Sequence, residues 1–123
     1  MSTAGLSLTN GNGFGQSGGL GLRSTGQLNS QGTLSSLTSS FGAGTVVSMV
    51  VRGSDGAVWF AINGVWLGGG NPAAGTNPAG YLTGTLYVTL VLVSGSGGTH
   101  RAVLRPSASS WTQAAPSNTT ALP

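Results

Sequence analysis

Two runs rich in β-branched and aromatic residues, Thr45–Arg52 and Ala57–Ile62, flank Gly53-Ser54-Asp55-Gly56. Residues branched at Cβ lose rotamer freedom in a helix and pack well on a pleated surface. A short break containing Gly and Asp between such runs reverses the chain. The pair therefore predicts an antiparallel hairpin. Directly after it, Asn63-Gly64 supplies the residue types that most readily take the positive φ of a type I′ turn. Val65-Trp66-Leu67 is then expected to return as a short strand.

The same punctuation recurs along the chain. Ala4–Thr9, Leu20–Arg23 and Gln27–Gln31 read as short strands, with Asn10-Gly11-Asn12-Gly13 as turn material. Residues 33–44 are rich in Ser, Thr and Gly and read as a connecting loop, with Leu34, Leu37 and Phe41 as anchors. Residues 68–80 contain two Asn-Pro steps, which exclude a regular helix or a central strand and predict an ordered surface loop. In Thr85–Val93 both alternating sets of residues are largely apolar, which predicts a central strand. Ser94–Gly98 turns the chain, His100–Arg105 is expected to pair with that strand, and Pro106 ends it. No stretch has the period of an amphipathic helix. Many short strands with frequent turns predict an all-β fold, an antiparallel β-sandwich. One domain is expected over residues 1–105, followed by a Ser/Thr/Pro-containing tail over 106–123 with Trp111 as its large anchor.

Charge limits the chemistry. Only 4% of the 123 residues are charged, against about 25% in an ordinary domain. Asp55 is the sole acidic residue, Arg23, Arg52, Arg101 and Arg105 are the basic ones, and His100 is the sole histidine. One carboxylate cannot supply the pair that glycoside hydrolysis needs. One histidine without cysteine cannot build a three-ligand metal site. No nucleophile elbow surrounds any serine, and the glycines at 68–70 lack the Lys and following helix of a phosphate loop. Four scattered arginines give too weak a footprint for nucleic acid. The reading is therefore a non-enzyme with no cofactor, no metal and no nucleic-acid partner. Met1–Leu8 lacks a basic start followed by an apolar run, and no stretch reaches the roughly 18–20 apolar residues that span a bilayer, so neither a signal peptide nor membrane insertion is expected. So few charges leave little repulsion between copies, which favours assembly into a homo-oligomer.

The run Asp55-Gly56-Ala57-Val58-Trp59-Phe60-Ala61-Ile62-Asn63-Gly64-Val65-Trp66-Leu67 resembles the hairpin of SPRY domains, where an aromatic strand is followed by Asn-Gly-Val-Trp. Gly70-Asn71-Pro72-Ala73-Ala74-Gly75-Thr76 is similar to the next loop in SPRY-like modules of phage and bacterial structural proteins. Thr83-Gly84-Thr85-Leu86-Tyr87 resembles the following strand, with Val88 where the family often has Pro. The likeness is specific over residues 45–93. The family's opening strands and its Asn-Phe-Gly strand near the C-terminus are not evident, so the sandwich is either trimmed at its N-terminus or completed by a neighbouring chain. The resemblance implies a concanavalin-like β-sandwich that binds or assembles. In its phage form it implies a virion location, as a capsid decoration or fibre module among other virion proteins. A receptor- or carbohydrate-binding adhesion module is the alternative.

Five residues are candidates for ligand or partner contact. Trp66 and Tyr81 flank the 68–80 loop, and Asn71 and Asn77 lie in it; an aromatic face beside amides suits a host-surface glycan. Trp111 in the polar tail is suited either to pin the tail to its own domain or to dock on a neighbour. The simpler expectation for Trp66 is a lid that holds the loop, and for Asp55 a plain turn residue.

Overall fold

The computed structural model describes residues 3–9, 18–93, 102–105 and 107–121. They form antiparallel β-sheets with almost no helix: two single 3-10 turns, at Leu67–Gly69 and Ala108–Ser110, are the helical pieces among them. The strands are β1 (Thr3–Thr9), β2 (Gly19–Arg23), β3 (Gln27–Ser30), β4 (Thr33–Ser36), β5 (Val47–Val51), β6 (Ala57–Ile62), β7 (Val65–Trp66), β8 (Gly80–Tyr81) and β9 (Tyr87–Val93). One sheet has the order β4-β3-β2-β1-β9. In the other, β5 lies along one edge of β6, while β7 and β8 share the opposite edge.

Leucines at alternate positions of β2 and β3 meet the even-numbered residues of β6. Leu20, Leu22 and Leu28 form one buried cluster with Val58, Phe60 and Leu82, and Val47, Met49, Val51, Ile62, Leu86 and Val88 pack around it. Both sheets thus contribute to one apolar core. The two-residue period of a strand sends Val58 and Phe60 inward and Trp59 to the other face. Gly80 permits a close approach between the sheets: a Cβ there would stand 2.9 Å from a methyl carbon of Leu20.

The β5–β6 hairpin forms as expected, with Val50 opposite Trp59 and Met49 opposite Phe60. Asn63 (φ 49°) and Gly64 (φ 84°) both take positive φ, as a type I′ turn requires. Asn63 also accepts the backbone N–H of Val46 on Oδ1 at 2.9 Å.

Three expectations are corrected. Residues 33–36 are not loop but strand β4, paired with β3 from Gln27↔Ser36 to Ser30↔Thr33. A two-residue turn at Gln31 (φ 51°) and Gly32 (φ 90°) makes this hairpin, and the Asn29 side chain caps it by accepting the Gly32 N–H at 3.1 Å. The strand expected over 85–93 starts at Tyr87 and lies at a sheet edge rather than in the centre, paired with β1 alone among the described strands. Ala102–Arg105 is in no strand, with Val103 65% and Leu104 58% exposed. The turns expected at 10–13 and 94–98, together with His100, Arg101 and Pro106, lie outside the described residues.

Candidate functional site

The loop between β7 and β8 leaves one end of β6 and returns to the other, so it arches across the sheet face that carries Trp59. It is built from its own backbone. Asn71 and Thr76 exchange two N–H···O bonds, both 3.0 Å. Asn71 Oδ1 accepts the N–H of Ala74 at 3.0 Å. Asn77, at φ 50°, donates from Nδ2 to the Gly69 carbonyl at 3.1 Å.

Two side chains from the hairpin fasten this loop. Trp59 is 2% exposed, and its indole N–H donates to the Thr76 carbonyl at 2.8 Å. Arg52 donates from Nε to Asp55 Oδ1 at 2.9 Å and from Nη2 to Asp55 Oδ2 at 2.6 Å, a two-pronged ion pair. Its remaining nitrogen reaches the Gly75 carbonyl at 3.3 Å. The guanidinium carbon stands 5.3 Å from the centre of the Trp59 ring, within the range where a cation is attracted to an aromatic face. Asp55 also accepts the Ala57 N–H at 3.2 Å. The Arg52 hydrogen bonds, first, and this backbone contact hold its carboxyl down at about 2. Asp55 is therefore more than a plain turn residue: it ties the hairpin turn, through Arg52, to the loop.

The five candidates do not converge. Trp66 is opposite Ala61 and Tyr81 opposite Ala57. Cross-strand partners share a face, so both lie on the Trp59 side of the sheet, but their partners are four residues apart on β6, about 13 Å at the usual rise. Tyr81 is 53% exposed and Trp66 half-buried. Asn71 and Asn77 are exposed, yet each spends a side-chain atom in bracing the loop. Trp111 is distant in sequence and bonds locally, donating its indole N–H to the Arg105 carbonyl at 2.8 Å. In the same tail the Gln113 side chain lies over the Asn63-Gly64 turn, where a Cβ on Gly64 would meet its Oε1 at 2.6 Å. Sequence reading missed Arg52 and Gln113; neither stands in a motif.

An open groove of about 390 Å³ runs between the 53–56 turn and residues 82–86. Its two charged lining residues, Arg52 and Asp55, are already committed to each other. Among the described residues no three His, Cys, Asp or Glu side chains gather to hold a metal, and no helix is long and apolar enough to cross a membrane.

No family model, curated protein or solved structure matches this chain. The site is a closed, internally bonded loop over the sheet face that carries Trp59, with the Arg52–Asp55 ion pair beside it. It offers shape and hydrogen-bonding surface.

Proposed function

We propose that the chain is a non-catalytic structural protein of a phage virion, a capsid decoration or fibre module that presents a SPRY-like β-sandwich on the particle surface. The observation that carries this reading is the loop locked over Trp59. Within residues 45–93, which carry the resemblance to SPRY modules, Arg52, Asp55 and Trp59 brace the loop after β7. Commitment of the only carboxylate to Arg52 supports a role without acid–base chemistry. A surface nearly free of charge supports packing against copies or other virion proteins.

Purified particles test this. The protein should be found in them at a fixed copy number by quantitative mass spectrometry, with density for the two sheets on the particle exterior. Particles that lack the protein would overturn the reading.

Adhesion to a host-surface glycan is the second reading. The exposed Tyr81 ring, on the same sheet face as Trp66, favours it. Binding on a glycan array that is lost in Tyr81→Ala or Trp66→Ala, with the fold retained, would establish it. Absence of binding by the assembled protein would remove it.

A further inference from the structure

We propose that β9 is a self-association edge, pairing antiparallel with β9 of a second copy so that two five-stranded sheets run into one. The inference rests on the reading of the chain as an assembling module and names the strand that it uses.

The open edges of the sheets are not equivalent. β4 is four residues long. β5 is five residues long and is followed at once by Arg52. β9 is seven residues, Tyr87-Val88-Thr89-Leu90-Val91-Leu92-Val93, with no charge, no Pro and no Gly. One edge of β9 pairs with β1 over its whole length, and no described strand lies on the other. Sheets normally protect such an edge with a charge, a Pro, a bulge or brevity, because its unpaired N–H and C=O groups are a template for another strand. β9 has none of these protections in its sequence.

Self-pairing suits this strand for a specific reason. Across a two-fold axis each residue meets a residue of the same strand, and like charges set opposite each other destabilise the pair. β9 contributes no charge to any register. Of the segment expected to pair with β9, His100–Arg105, the described residues 102–105 are in no strand. Arg105 donates to the Ser110 carbonyl at 2.8 Å, Trp111 binds back to Arg105, and Gln113 sits over the Asn63-Gly64 turn of the other sheet.

The test is self-association of the isolated full chain, with Tyr87→Lys as the variant. Tyr87 is 58% exposed, so the change spares the core and places a cation on the edge strand. Sedimentation should show a wild-type dimer and a variant monomer with unchanged circular dichroism. Hydrogen exchange should show β9 amides protected in the dimer, with about half of them released in the monomer, since alternate amides of an edge strand point away from its single partner. If Tyr87→Lys fails to fold, Thr89→Lys, two residues on along β9, serves instead. A monomeric wild type, a variant that still associates, or β9 amides fully protected in a monomer would each overturn the proposal. Incorporation into particles is measured separately. A variant that stays monomeric in solution yet enters particles leaves the virion reading standing, whereas absence of the wild type from particles sinks that reading alone.

Discussion

The indole N–H of Trp59 and the carbonyl of Thr76, seventeen residues apart in the chain, are joined at 2.8 Å. The bond satisfies a buried donor and at the same time closes the loop over the ring that donates it. Loop and sheet face are therefore one structural unit, and a change in either should be felt in both.

Trp59→Ala is expected to cost about 3–5 kcal/mol, the usual range for removing a buried Trp. Trp59→Phe keeps most of the apolar bulk but leaves the Thr76 carbonyl without its donor, costing about 1–3 kcal/mol. Denaturant melts measure both. Hydrogen exchange should show the Thr76 amide, bonded to the Asn71 carbonyl, losing protection in either variant.

Stability should fall in acid because of Asp55. Its carboxyl is held at about 2, below the ordinary 3.8, chiefly by its hydrogen bonds from Arg52. The folded state then binds this proton less readily than the unfolded state. The contribution is complete above about pH 4 and is lost as pH falls through about 2. Thermal melts of wild type should show that decline, and Asp55→Asn should start lower and flatten it.

Gly56 and Gly53 bracket the same turn and should behave oppositely. Gly56 has φ 74°, and a Cβ there would collide with the Leu82 carbonyl. Its own carbonyl accepts the Leu82 N–H at 2.9 Å. Strained backbone alone costs about 1–3 kcal/mol, and the collision adds to it, so Gly56→Ala should give insoluble or unfolded protein. A Cβ on Gly53 meets nothing within 4 Å, so Gly53→Ala should stay within about 0.5 kcal/mol of wild type.

Trp111→Ala should release the tail without unfolding the sheets. The indole binds within the tail, to the Arg105 carbonyl, and the apolar core does not include it. The expected loss of global stability is no more than about 1 kcal/mol. Limited proteolysis should cut within residues 107–121 faster than in wild type.

Local turn chemistry made part of this fold legible. Asn63-Gly64 and Gly53–Gly56 mark their hairpins because each turn depends on residues inside it. β4 is not legible in the sequence because Gln31, held at φ 51°, is not a residue type that announces a left-handed turn, and Thr33–Ser36 is exposed along its length with Leu34 its one apolar residue. The apolar character of both alternating sets in 85–93 suggests a central strand, yet among the described strands β9 is an edge; periodicity reports what a strand needs covered, not which chain covers it. At the candidate site, Trp66, Asn71, Asn77 and Tyr81 were drawn from neighbouring positions in sequence, whereas the bonds that hold the site, Arg52 to Gly75 and Trp59 to Thr76, span 23 and 17 residues. Such pairings arise only once the loop has folded back.

The pairing of Arg52 with Asp55 has an electrical consequence. With no Glu in the chain, Asp55 is the one acidic side chain, and its carboxyl keeps its charge until the pH nears about 2. Electrophoretic titration of wild type against Asp55→Asn should therefore show a constant difference of one charge between neutral pH and about pH 4.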